Sequence, residues 1–138
     1  MSLRTILLVL IPALALAQPK SLPDIIEANG KAVGLVATLD TEGNYQEKFA
    51  CFFAGPPGVL VTAYQPISEA DGLEVILPDG KKTREVSVMA VDPRKDIAIL
   101  KVAAAGAPAI TLGDSDRTRT GDTVVVLSRP QATFTSAT

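Results

Sequence analysis

From Val33 onward the chain is cut into short apolar runs by glycine and proline turns, and this spacing constrains the fold more than any other feature. Val33 to Leu39, Tyr45 to Ala54, Val59 to Thr62, Leu73 to Leu77, Arg84 to Val91, Ile97 to Val102 and Thr123 to Leu127 all have strand length. Pro56-Pro57-Gly58, Pro78-Asp79-Gly80 and Asp92-Pro93 lie between them. Proline fixes φ and glycine accepts positive φ, so each cluster turns the chain. Val86, Val88 and Ala90 alternate with Glu85, Ser87 and Met89, the two-residue period of a strand with one buried face. Many short strands at regular spacing with such turns predict an all-β antiparallel barrel or sandwich.

Two segments depart from this pattern. Ser21-Leu22-Pro23-Asp24 reads as a helix start, with Ser21 as cap, Pro23 in the first turn and Asp24 facing the positive helix end. Ile25, Ile26 and Ala28 supply a short apolar face, and Gly30 ends the helix. Residues 63–68 are short and helical in character. Ala103 to Pro108 is a small-residue connection.

Residues 1–17 read as a signal peptide. Arg4 precedes the uncharged run Ile6 to Ala17, and Ala15-Leu16-Ala17 is a small-x-small cleavage site. The run is too short for a membrane span, which takes about 20 apolar residues. Export to a bacterial-type periplasm or the extracellular space is the expectation, with no membrane span left after cleavage.

Composition removes several chemistries. There is no histidine, which excludes a Ser-His or Cys-His nucleophile pair, a His-ligated metal and an imidazole base. One cysteine cannot make an internal disulfide or a thiolate cluster. A net charge of −2 with 4% aromatic residues leaves no basic patch or stacking platform for nucleic acid. Cys51, in the apolar run Ala50-Cys51-Phe52, reads as a buried thiol; an intermolecular disulfide or a reactive thiol, with Lys48 nearby in sequence, is the alternative. No cofactor and no metal site is expected.

Individual motifs add little alone. Gly113-Asp114-Ser115-Asp116 has the outline of a serine nucleophile loop, but Asp116 and Arg117 stand where glycines would let amides approach an oxyanion. An acidic surface turn is the better reading. Asp96, beside Arg94 and Lys95, reads from composition as part of a charged turn. Asp71, Asp79, Asp114, Asp116 and Asp122 adjoin glycine or serine and read as turn formers.

Taken in order, three segments resemble trypsin-like serine peptidases of the HtrA/Deg type. Phe52-Phe53-Ala54-Gly55-Pro56-Pro57-Gly58-Val59-Leu60-Val61-Thr62-Ala63-Tyr64 is similar to the strand-turn-strand leading to that family's histidine. Asp92 to Val102 is similar to its aspartate segment. Leu112 to Asp116, then Gly121 to Val126, is similar to the end of its first barrel. The resemblance implies an antiparallel trypsin-like β-barrel, the first of two, preceded by a short helix. With the signal at 1–17 and the helical segment at 18–30 already read from the residues, it places the barrel at 31–128, and at 129–138 a strand leading to a second barrel.

The same resemblance assigns Asp96 to the triad aspartate and position 65 to the triad histidine, where this chain has Gln65. Phe49-Ala50-Cys51 replaces a small, glycine-rich segment of the family, and Ser128-Arg129-Pro130 stands where a Gly-Asn-Pro turn is usual. The family's nucleophile loop lies beyond Thr138. An amide cannot take the serine proton near neutral pH, although Gln65 retains a hydrogen-bond donor toward Asp96. The expectation is an exported serine endopeptidase homologue without peptidase activity, a binding or regulatory module for polypeptide segments or another protein. The alternatives are a truncated HtrA-like fragment with no independent function, and a hydrolase using Asp96 or Cys51, neither of which has a base partner in the sequence.

Overall fold

The structure, a computed structural model, describes residues 21–103 and 106–128. The signal segment 1–17 and the expected strand at 129–138 lie outside the described residues. Helix α1 (Leu22–Gly30) starts as the sequence predicts. Ser21 and Asp24 form a reciprocal capping box, Ser21 Oγ accepting from the Asp24 amide and Asp24 Oδ2 from the Ser21 amide. The helix ends at Gly30, but with right-handed Lys31 as its cap rather than through a left-handed glycine. Ile25 and Ile26 are half-buried and Ala28 is exposed, so the helix contributes little to the core.

Seven strands follow: β1 (Val33–Leu39), β2 (Tyr45–Phe53), β3 (Val59–Ala63), β4 (Gly72–Ile76), β5 (Lys82–Thr83), β6 (Val86–Asp92) and β7 (Ile97–Val102). A single turn of helix, α2 (Gln65–Ser68), interrupts them, and a 3₁₀ turn spans Ser115–Arg117. The strands form one antiparallel sheet in the order β5-β4-β1-β2-β3-β7-β6. The sheet curls until β6 reaches β4, giving the antiparallel barrel of a trypsin-like fold.

The concave side is packed by Val36, Cys51, Phe53, Leu60, Ile67, Val75, Ala98, Leu100 and Val102. They come from β1, β2, β3, α2, β4 and β7, so the core ties together strands distant in sequence. Gly34 is obligatory at one close approach. A Cβ there would sit 2.8 Å from the carbonyl oxygen of Ile76 and 3.3 Å from Cys51 Sγ. The Gly55-Pro56-Pro57-Gly58 turn closes through the Val59 amide on the Pro56 carbonyl, with Gly55 and Gly58 at positive φ.

The structure corrects the sequence reading at the edges. Arg84 to Val91 is not one strand: Lys82–Thr83 pairs with β4, and β6 begins at Val86. Nor does β6 have a buried face, since Val88, Met89 and Val91 are 55%, 59% and 46% exposed. β6 is the last strand of the sheet, and its register with β7 shifts between Val88 and Ala90, which breaks the alternation at Met89. Thr123 to Leu127 is not a strand. No described strand lies beside it to accept its hydrogen bonds, and Val124 and Val126 face outward.

Candidate functional site

Position 65 and Asp96 are brought together by the β3–β7 ladder. Ala63 pairs with Ile97 and Thr62 with Ala98, so the chain leaving β3 emerges beside the chain entering β7. β3 alternates half-buried and buried residues, with Leu60 and Thr62 inward. β7 does the same with Ala98, Leu100 and Val102. Burial of those side chains sets the register, and the register sets the site.

At the open end of this pair the Tyr64 amide donates to the Asp96 carbonyl at 3.2 Å. The Gln65 amide donates to Asp96 Oδ1 at 2.7 Å. The contact expected from the Gln65 side chain is therefore made by its main chain. A short N–H···O⁻ bond of this kind is charge-assisted. Gln65 opens α2, with Pro66 next, where a missing N–H costs nothing. Ser68 Oγ donates to the Gln65 carbonyl at 2.7 Å, and Ile67 anchors the turn in the core.

Asp96 follows a turn built by Asp92, whose carboxylate accepts from the amides of Arg94 and Lys95. Asp96 then takes φ 54°, the one non-glycine residue at positive φ among the described residues. Aspartate tolerates this left-handed region better than most residues. Both Gln65 and Asp96 are solvent-exposed. The pair offers a fixed carboxylate and a neutral amide. It can orient a group by hydrogen bonding, and it holds no imidazole.

The other sequence candidates fall elsewhere. Cys51 is 1% exposed, faces Gly34 across the sheet, and has its pKa pushed up to about 12 by burial. This matches the buried-thiol reading and not a reactive one. Gly113-Asp114-Ser115-Asp116 is an exposed 3₁₀ turn, with Asp114 Oδ1 accepting from the Asp116 amide. Among the described residues, no group of three or more acidic or cysteine side chains converges to hold a metal ion, and no helix is long and apolar enough to cross a membrane.

One cluster escaped sequence reasoning. Glu74 on β4 is buried, yet it accepts from the Tyr45 hydroxyl and from Arg84 Nε at 2.9 Å. Lys82 Nζ lies 3.8 Å from the same carboxylate and donates to the Tyr45 oxygen at 3.0 Å. The Leu73-Glu74-Val75 alternation gives no sign of this, because Tyr45 arrives from 29 residues away.

The trypsin-like peptidase domain family matches residues 49–137. A probable periplasmic serine endoprotease, DegP-like, from Chlamydia trachomatis is 32% identical over 87 residues, which is 61% of this chain and 17% of that protein. The corresponding protein of Ectopseudomonas mendocina is 33% identical over 79 residues, 57% of this chain and 16% of its own. The chain thus spans about a sixth of these curated relatives. Among solved structures, the HtrA-type protease AlgW with a tripeptide matches at 30% identity and TM-score 0.66, over 75% of this chain and 33% of that one. A serine endoprotease from Yersinia pestis shares the fold at 20% identity and TM-score 0.61, over 69% of this chain and 34% of that one. With a sheet of this topology and a family match over most of its length, the chain belongs to the trypsin-like peptidase domain family, and its likeness within it is to the HtrA type.

Proposed function

We propose that this chain is an exported HtrA-like barrel without peptidase activity, acting as a binding or regulatory module for polypeptide segments. One observation carries the reading: residue 65, held beside Asp96 by its main-chain amide at 2.7 Å, carries a glutamine side chain and no imidazole. In the family the resemblance points to, Asp96 is the triad aspartate and Gln65 occupies the place of the base. Loss of the base alone costs about 10⁴–10⁶ in turnover. Export is supported by residues 1–17 and by the periplasmic naming of the relatives.

The test is an assay of the purified protein on casein, with a fluorophosphonate probe in parallel. Neither hydrolysis nor labelling should exceed a Gln65→Ala control. Turnover clearly above that control refutes the proposal.

A second reading is a portion of a longer HtrA-like peptidase with no independent role. The exposed Val88, Met89, Val91, Leu112, Val124 and Val126 favour it, because apolar surface of this kind is ordinarily covered. A monodisperse product that unfolds cooperatively supports the binding module. An aggregating or readily proteolysed product supports the fragment.

A further inference from the structure

β5 is two residues long and is tied to β4 by only two ladder positions, Val75↔Thr83 and Ile76↔Lys82. A strand so short holds little by itself. What surrounds it is a set of side chains converging on Glu74. Arg84, just past β5, donates to Oε2, and Lys82, within β5, is within ion-pair range of Oε1. Tyr45, at the start of β2, donates to Oε1. The Arg84 guanidinium also lies beside the β1–β2 turn, 3.6 Å from where a Cβ on Gly43 would be. One carboxylate thereby joins β2, β4, β5 and the connection into β6.

Lys48 on β2 adds a charge beside Tyr45: its ammonium lies over the Tyr45 ring at 4.8 Å, with that of Lys82 at 5.2 Å. β1 contributes Ala37 opposite Glu74 and no titratable side chain. Two cations and a hydroxyl therefore contact one anion with 5% exposure, and a third cation covers the ring of that hydroxyl.

We propose that ionised Glu74 is a latch that holds the β5 edge against β4, and that neutralising it frees residues 80–85 while the rest of the barrel stays folded. Release leaves β4 as the edge of the sheet, open to pairing with another strand. Burial raises the Glu74 pKa, but the bonds from Tyr45 and Arg84 and the charge of Lys82 outweigh it, so the group titrates below its ordinary 4.5. A depressed carboxylate stabilises the fold fully above its unfolded pKa and loses that contribution as pH falls through the folded one. The latch is closed at neutral pH and opens only below about 4.5.

Amide hydrogen exchange by NMR on the full chain tests this. The Leu77 amide, which donates to the Lys81 carbonyl at 2.7 Å, reports the β4–β5 turn. The Phe53 amide, bonded to the Ala32 carbonyl at 2.8 Å, reports the core sheet. In Glu74→Gln at pH 7, protection at Leu77 should fall about ten- to hundredfold, the equivalent of one hydrogen bond to a charged group, while Phe53 keeps its own. Arg84→Met leaves Glu74 in place and should give the same local loss, which keeps the test decisive if Glu74→Gln fails to fold. The wild type should show the loss at Leu77 below pH 4.5, after correction for intrinsic exchange. Unchanged protection at Leu77 in the folded variants, or loss at Leu77 and Phe53 in step, overturns the latch.

Discussion

Asp96 is the residue whose replacement separates the structural from the chemical content of the site. Its Oδ1 accepts from the Gln65 amide at 2.7 Å, and its backbone sits at φ 54°. Three substitutions divide these contributions. Asp96→Asn keeps an oxygen acceptor and a side chain that tolerates the left-handed region, but loses the charge; it should cost about 0.5–1 kcal/mol, reduced by the exposure of the site. Asp96→Gly loses the bond entirely, about 1 kcal/mol at an exposed position, and is free of strain at positive φ. Asp96→Ala loses the same bond and adds about 1 kcal/mol because its Cβ is disfavoured at that φ, for a total near 2 kcal/mol. With a urea m-value of about 2 kcal/mol/M, the midpoint for Asp96→Ala should move down by about 1 M, with glycine near half that shift and asparagine at or below it. Equilibrium urea unfolding of the full chain, followed by far-ultraviolet circular dichroism, reads the order. If alanine is as stable as the wild type, the bond from Gln65 contributes nothing. If alanine and glycine are equal, the left-handed backbone at Asp96 is not the source of the second contribution.

Two further outcomes bear on the core. With its pKa near 12, Cys51 is only about 10⁻⁴ thiolate at pH 8, so a thiol reagent such as dithiobis(nitrobenzoate) should modify it slowly in the native state and fast in urea. Rapid native labelling would show that the thiol is accessible. Gly34→Ala forces a Cβ to 2.8 Å from the Ile76 carbonyl oxygen, where β1 and β4 pair, and should cost about 1–3 kcal/mol in the same urea assay. A variant as stable as the wild type would mean that the two strands are less closely held than described.

The parts of the fold that sequence predicts are those whose physics is local. Val33–Leu39 and Ile97–Val102 match their apolar runs because both lie inside the sheet, paired on both sides. α1 begins at Ser21 because the capping box needs only Ser21 and Asp24, three residues apart. Where strands border solvent, the pattern misleads. Val86-Ser87-Val88-Met89-Ala90 alternates well, yet a register shift at Met89 and a free outer edge leave its apolar residues exposed. Thr123 to Leu127 is as apolar as a core strand, but a strand is a property of two chains and nothing described pairs with it. The site divides the same way. The proximity of residue 65 and Asp96 follows from the resemblance. That the main chain makes the bond follows from the β3–β7 register and the turn of α2, which depend on contacts 31 residues apart. Burial of Glu74 depends on Tyr45 and Arg84 covering it, and no short window of sequence holds all three.

Because the bond to Asp96 comes from the backbone of residue 65, the frame of the site does not depend on which side chain that residue carries. Codons for glutamine and histidine differ only in their third base. A single base change at that codon would therefore exchange the side-chain amide for an imidazole while the main-chain bond to Asp96 stays available. The frame and the group it presents are set by different parts of the same residue.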